Sequence, residues 1–510
     1  MHAYSSMLPA SSSAPAGAER AVLAEAERIV RAEDDRVTGR ARRKARREAL
    51  REENRRLARE ERDRKAAAAE AEEERRRRAA AGVRAAMLDR IRERGAACGG
   101  SVMEKVFAAV PDPRDPRGVR HSLACVLALV MMAMICGNET LAAVTCWISA
   151  ADQDLLAAAG ARVLPDGTRQ APCPRTVTRV LGAADPDAVD DAVCRYLADG
   201  ERALQAAGHE DGQQEQEQEQ EQEQEQEEAP ALMPQVACDG KYVKGARRPD
   251  GTSLILLSAA TPGGVTLAQR EIPAKTSEVP EIGPMLRELN QYYPLAGHVL
   301  TADALHTIAD FASLVAGELA AGAVLTVKDN QPTLRALLEN ALWSHAACHV
   351  TRDKGHGRRE TRSHLVMNAP DEVKALFPPA EQVARVIRTR TVTFWLSNGH
   401  TRTRVTRTGT ETVYLIITMP ARQAPPEHIA VYIRNHWSIE NRVHWVRDVT
   451  LGEDSSQVRA SSRPRILATV RNLNTGLIRQ AGLNEIAATV RAAGHDNDLL
   501  LALTRLETAS

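Results

Sequence analysis

The chain has 510 residues and a mass of 55.5 kDa, is 43% apolar and 26% charged, and so has room for about three domains and at least one large core. Its 67 basic and 67 acidic residues cancel. Its eight cysteines include no Cys-x-x-Cys pair, which excludes a disulfide scaffold and a zinc ribbon and points to reduced thiols in a cytoplasm. The longest apolar run, Ser122 to Cys136, falls short of the roughly 20 residues that span a bilayer, so no membrane partner is expected.

Charge is uneven along the chain. Residues 1–20 are rich in Ser, Ala and Pro, lack the pattern of a signal peptide, and read as a disordered tail. Residues 21–95 are rich in Ala, Arg and Glu without proline and predict helix. Within them, 31–95 hold 23 basic and 15 acidic residues, a net of +8. Two readings of this 1–96 extension stand: a solvated helix laced with i,i+4 ion pairs, or a basic nucleic-acid-binding arm with clusters at Arg42-Arg43-Lys44 and Arg75 to Arg78. Residues 97–205 predict a small all-α domain, with helices at Ser122–Cys136, Glu139–Ala151, Thr176–Leu181 and Pro186–Leu197. Arg175 and Arg179, four apart, suit either a recognition helix or a bundle surface. Residues 206–233 contain a Gln/Glu repeat, with ten acidic and no basic residues over 210–228, and predict a linker.

From 234 the period changes. Strands are expected at Pro234–Cys238, Ser253–Ala260, Val265–Ile272, His298–Thr301 and Gly322–Val327, the second and third joined by a TPGG turn. Helices are expected at Glu278–Leu289, Ala304–Leu319 and Thr333–Trp343. The fold class is therefore α/β, a mixed five-stranded sheet with helices. Thr/Val/Arg alternation over about 345–420 predicts an antiparallel β insertion. Helices at Glu427–Val449 and Ser462–Ala481 follow, and 481–510 reads as a C-terminal tail. Residues 351–480 carry 21 basic and 11 acidic residues.

Three carboxylates stand out: Asp239 ends the first strand, Asp303 follows the fourth, and Glu440 lies on a late helix. Adjacent parallel strands present their C-terminal ends at one point. Carboxylates converging there would repel one another unless hard dications joined them. Two Mg²⁺ ions roughly 3.5–4 Å apart suit phosphodiester chemistry. Taken singly, each carboxylate reads equally as a turn residue, a helix cap or a surface residue.

The motifs VACDGKYVKGAR (236–247), LTADALHT (300–307), TVKDNQPTL (326–334), HGRRETR (356–362) and NHWSIENRVHWVRDVTLGED (435–454) resemble the DDE-type transposases of bacterial insertion sequences, the ISAs-type or H-repeat-associated group. DPRDPRGVRHSLACVLAL (112–129) resembles that group's helical N-terminal domain. The likeness runs from about Val106 to Arg479. It implies an RNase H-like catalytic core over 234–480, DNA as partner, two Mg²⁺ ions (Mn²⁺ as a substitute), and Asp239, Asp303 and Glu440 as the metal-binding triad. It also implies a homodimer or higher oligomer on DNA. The Tyr, Arg and Lys that flank the Glu in related transposases map here to Ile433, His436 and Arg447, with Tyr432 and Arg434 out of register.

His436, Glu440, His444 and Asp448 share one helical stripe, with Trp437, Asn441 and Trp445 on the next. Zinc on His436, Glu440 and His444 is a further reading, although the spacing strains a tetrahedral ion. The candidate DNA contacts are Lys328, Asn330, Gln331, His436, Trp437, Arg442 and Arg447. The two tryptophans read first as core anchors and only second as stacking surfaces. Besides a transposase, the chain reads as a non-catalytic DNA-binding relative or as a nuclease without strand transfer.

Overall fold

The computed structural model describes residues 16–98, 101–219, 231–247, 251–273, 277–355, 357–397 and 402–506. The expected N-terminal tail (as far as residue 15), much of the Gln/Glu repeat and His356 lie outside the described residues. The chain divides into two units, Met1–Ala86 and Met87–Ser510.

In the first unit the described residues belong to helix α1 (Ala16–Ala97). Ala, Arg and Glu are strong helix formers, and carboxylates pair with cations one turn on: Glu61 with Lys65 at 2.8 Å, Glu72 with Arg76 at 3.2 Å, Glu74 with Arg78 at 3.0 Å. Such exposed pairs contribute about 0.3–0.5 kcal/mol each.

The second unit opens with the last turns of α1. It continues through α2 (Leu123–Ile135), α3 (Leu141–Ser149), α4 (Gln153–Ala158), α5 (Pro174–Ala183) and α6 (Pro186–Glu219). Then come β1 (Gln235–Arg247), β2 (Ser253–Ala260), β3 (Thr266–Ile272), α7 (Val279–Tyr292), β4 (Val299–Ala302), α8 (Ala309–Ser313), β5 (Gly322–Val327) and α9 (Pro332–Asn340). The 345–420 segment forms β6 (Ala347–Gly355), β7 (Arg358–Asn368), α10 (Asp371–Leu376), β8 (Gln382–Ser397) and β9 (Arg402–Ile417). The chain ends with α11 (Pro426–Ser438), α12 (Arg463–Gln480), α13 (Ile486–Ala493) and α14 (Asn497–Thr504).

The five expected strands form, but the sheet does not stop at five. Nine strands make one mixed sheet in the order β3-β2-β1-β4-β5-β9-β8-β7-β6. β1, β4 and β5 are parallel; the other pairs are antiparallel. β9 brings the apolar run Tyr414–Ile417 alongside Val324–Val327 of β5. That pairing covers an edge that β5 would otherwise expose, so the insertion extends the sheet instead of standing apart from it.

All of α2 except Ala124 is buried, and each fully buried Leu, Ile, Val or Met contributes about 1.5–3 kcal/mol. Ser122 caps this helix by accepting the Cys125 N–H at 3.1 Å. The run too short for a bilayer is thus a core helix, and among the described residues no helix is long and apolar enough to cross a membrane. The same core takes in α12 and, against the expected tail, α13 and α14, through Ile486, Val490, Leu499, Leu500 and Leu503. Their apolar positions are few and closely spaced, which hid them in sequence. The α6 helix likewise runs on past the expected Leu197 boundary into the repeat, to Glu219.

Helices and sheet are joined by buried polar contacts. Arg465 of α12 donates to Asp190 of α6 at 2.8 Å, and Gln269 of β3 donates to the same carboxylate at 2.9 Å. Close backbone approach fixes the far end of β1. A Cβ added at Gly245 would fall on the Ser456 carbonyl. Gly245→Ala is therefore expected to cost about 1–3 kcal/mol in urea unfolding, whereas Gly118→Ala, which faces open space, leaves the midpoint nearly unmoved.

Candidate active site

The register of the two central parallel strands sets the site. Cys238 of β1 lies opposite Ala302 of β4, so Asp239 and Asp303 follow side by side. Asp303 stands just past the end of β4, and Asp239 inside β1, which does not end there as expected but runs on to Arg247 in register with β2. Alternation along β1 sends Cys238 into one core and Ala237 to the other face, where Ala237 and Ala260 pack with Ile439 and Val443. Small alanines let the helix bearing Glu440 sit close against the sheet.

That helix is not the continuous α-helix expected over Glu427–Val449. It is α-helical to Ser438, then π-helical over Ile439–His444 and Val446–Thr450, with the Trp445 N–H reaching the Glu440 carbonyl. The turns widen where Ile439 and Val443 both pack on the sheet. No proline or glycine marks the place, so tertiary packing sets it. Wide turns of this kind often accompany functional sites.

The expected stripe runs past the end of β4 and along the middle of β1. His436 Nδ1 lies 3.1 Å from Thr301 Oγ1, His444 Nδ1 lies 3.5 Å from Asp239 Oδ2, and Asp448 pairs with the buried Lys241. Glu440 sits between, its side chain exposed yet near enough to act electrostatically on Asp239.

The two aspartates are driven apart in acidity. Burial, then repulsion by Glu278 and by Glu440 and Asp303, pushes the Asp239 carboxyl up to about 7, against the opposing Gly240 N–H bond. Burial also works against ionised Asp303. There the Ala304 N–H, the Lys328 ammonium at 3.3 Å and His436 outweigh it and hold the carboxyl below the ordinary range. Burial pushes His436 down, and burial, Arg447 and Lys241 push His444 down to about 3, leaving it neutral beside Asp239.

The remaining expected residues divide. Lys328 is exposed beside Asp303. Asn330 and Gln331 donate to the Ala304 and Thr307 carbonyls at 2.7 and 2.9 Å, so they brace the turn that carries Asp303. Arg442 is exposed, with its carbonyl accepting from Arg479. Trp437 and Trp445 are each 56% exposed, which corrects their reading as core anchors. Arg447 is a correction of the opposite kind. It is fully buried, donating to Glu453 at 2.9 Å, Gln269 at 3.2 Å and Asn472 at 3.3 Å. In this conformation it has no surface for a phosphate.

Two residues escaped sequence reasoning. Glu278 lies against Gly240, where any Cβ would collide with its carboxylate, and His306, 1% exposed, places Nε2 3.5 Å from Glu278. His306 stands in the LTADALHT motif; nothing local marks Glu278. Among the described residues no three His, Cys, Asp or Glu side chains close into a cation cage, neither His436, Glu440 and His444 nor Asp239, Asp303 and Glu440 with Glu440 turned to solvent. The donors are hard carboxylate oxygens crowded enough to raise Asp239. That chemistry suits a hard dication that completes its shell with water and phosphate oxygens.

Residues 237–473 match the family model of the transposase DDE domain, and residues 104–197 match that of the DDE_Tnp_1-associated region. The chain belongs to the DDE-type insertion-sequence transposases. Among relatives, it is 24% identical over 382 residues to "Putative transposase YncI" of Escherichia coli O157:H7, covering 73% of this chain and 86% of that protein. It is 22% identical over 391 residues to "H repeat-associated putative transposase YhhI" of Escherichia coli (strain K12), covering 74% and 90%. A cryo-EM structure of the piggyBac transposase synaptic complex with hairpin DNA aligns with 79% of this chain and 77% of that one, at 12% identity and a TM-score of 0.37.

Proposed function

We propose that this protein cuts DNA at the ends of an insertion sequence and transfers the freed strand to target DNA, with Asp239, Asp303 and Glu440 as a metal-binding triad. The observation that carries this is the β1–β4 register, which sets the two aspartates side by side under the helix of Glu440. The strand order β3-β2-β1-β4-β5, antiparallel then parallel, supports an RNase H-like core for that half of the sheet. Two Mg²⁺ ions, or Mn²⁺ in their place, would supply charge that activates an attacking oxygen and stabilises a leaving one. The protein's own groups position the substrate. Lys328 offers exposed positive charge beside Asp303, exposed Arg442 offers it at the neighbouring β2–β3 turn, and neutral His444 adds no competing charge beside Asp239. Exposed Arg175 and Arg179 on α5 support binding of terminal repeats by the helical region. Water opens the phosphodiester at the element end and leaves a 3′-hydroxyl. That hydroxyl then displaces the target phosphodiester, forming one bond as it breaks another. Serving two element ends suits a homodimer or higher oligomer on DNA.

The test incubates the purified protein with linear DNA carrying the element ends and a supercoiled target, with Mg²⁺ or EDTA. Nicks at the ends and joined donor–target products are expected with Mg²⁺. Asp239→Asn, Asp303→Asn and Glu440→Gln are each expected to lose about 10³-fold in rate, equivalent to about 4 kcal/mol of transition-state stabilisation, while still binding DNA. Nicks without joined products would leave a nuclease. Binding without cleavage in any divalent metal would leave a non-catalytic relative.

A further inference from the structure

The first unit lies outside both family-matched segments, 104–197 and 237–473, and its charge is not evenly mixed. From Arg36 to Arg47 the sequence RVTGRARRKARR holds seven basic residues and no acidic one. The segment is helical, and its seven basic side chains are exposed. Further along α1 the pattern reverses: Arg76, Arg77 and Arg78 each meet a glutamate one turn back. Among the described residues, Arg40, Arg42, Arg43, Lys44, Arg46 and Arg47 meet no carboxylate.

Helix geometry orders these cations. At 3.6 residues per turn, Arg36, Arg40, Arg43 and Arg47 fall within a stripe about 60° wide and about 16 Å long. Lys44 and Arg46 flank it on opposite sides, Val37 lies beside Lys44, and Thr38, Ala41, Arg42 and Ala45 occupy the back. A helix about 10–12 Å across fits a DNA major groove about 12 Å wide. There the flanking cations reach phosphates on both walls. Two copies of the stripe would repel each other. An anionic bilayer would want large apolar residues on the back face, and this segment offers there two alanines, Thr38 and Arg42.

We propose that this stripe is a duplex-DNA docking helix, which grips the phosphate backbone outside the active site and without regard to base sequence. Only the choice of polyanion rests on the transposase reading; the binding itself requires no cleavage.

The experiment uses the full chain, with binding to a random-sequence 30-base-pair duplex followed by fluorescence anisotropy from 50 to 200 mM KCl. Each phosphate neutralised contributes about 0.9 to the slope of log K against log salt. The variant R36Q/R40Q/R43Q/R47Q is therefore expected to lower the magnitude of the slope by about 3–4. The matching lysine variant is expected to retain the slope, and R75Q/R76Q/R77Q/R78Q, which removes the same charge from the ion-paired stretch, to leave it unchanged. Ellipticity at 222 nm checks that α1 stays helical. An unchanged slope in the 36–47 glutamine variant overturns the proposal. So does an equal loss in the 75–78 variant, which would mean diffuse charge. Loss of binding to phosphatidylserine vesicles with the DNA slope intact would assign the stripe to a membrane and equally overturn it. Cleavage is read in parallel: a glutamine variant that lowers the slope as expected, beside a natural protein that never cuts DNA, would sink the catalytic reading and leave this one standing.

Discussion

Asp239→Asn is expected to stabilise the metal-free protein at pH 8 by about 2–4 kcal/mol and to change little at pH 4. The native carboxyl is pushed from 3.8 up to about 7. Between these values the folded state holds a proton that the unfolded state has lost, so this group's contribution to stability is greatest below about pH 4 and falls as pH rises to about 7. Above that, both states are ionised and the folded one carries the full penalty of burial and of Glu278, Glu440 and Asp303. Three units at about 1.36 kcal/mol each set a ceiling near 4 kcal/mol; the side chain is 22% exposed, and screening lowers the figure toward 2. Asparagine mimics the neutral acid and removes the penalty. Urea unfolding at pH 4, 6 and 8 in EDTA measures the difference between the two proteins, which should grow with pH. The same difference at pH 4 and pH 8 would show that the carboxyl titrates normally and that the acidic cluster is not strained. With Mg²⁺ at pH 8, the melting temperature of the natural protein should rise, and that of Asp239→Asn should rise less.

Arg447→Ala is expected to cost about 3–5 kcal/mol, because removing one member of a buried ion pair leaves the other without compensation. Glu453 is 1% exposed. Burial opposes its charge, but Arg447, Arg471 and Lys241 hold its carboxyl below the usual range. The Arg447 guanidinium also bonds Gln269 of β3 and Asn472 of α12, so its loss loosens the seam where the helix of Glu440 meets the sheet and the helical core. Lys328→Ala, at an exposed pair, should cost less than about 1 kcal/mol. Denaturant unfolding of both variants gives the comparison. If Arg447→Ala unfolded like the natural protein while DNA affinity fell, the arginine would return to the phosphate-gripping role that its sequence position suggests.

That reversal shows how far the sequence could be read. Asp303 was legible because an apolar run followed by a polar break marks the end of β4, and Glu440 because the surrounding motif is distinctive. Asp239 also follows an apolar run, but β1 continues past it to Arg247, because pairing with β2 carries the polar stretch on as strand. Arg447 stands among other charged residues at helical spacing. Its burial depends on Glu453, six residues on and beyond the helix end, which no periodicity links to it. Glu278 joins the site only because Gly240 has no side chain to keep it away, a consequence of how β1 meets the start of α7. The four strands of the 345–420 segment were visible as alternation. Their fusion with the central sheet was not, because it rests on β9 meeting β5 across nearly ninety residues of chain. The widened turns at Glu440 arise from contact with Ala237 and Ala260, which local propensity does not report.

The packing of α12 to α14 onto α2 bears on synthesis. From Ile135 to Arg463 the ribosome must add 328 residues, which takes roughly 20–60 s at about 5–20 residues per second. Throughout that interval α2, the most apolar of the described helices, has α3 and α5 to pack against but lacks α12 and α14. A nascent chain in this state is a natural client for a chaperone, and a premature stop just before α12 would yield a polypeptide that keeps every acidic residue of the site but leaves part of α2 uncovered and prone to aggregate.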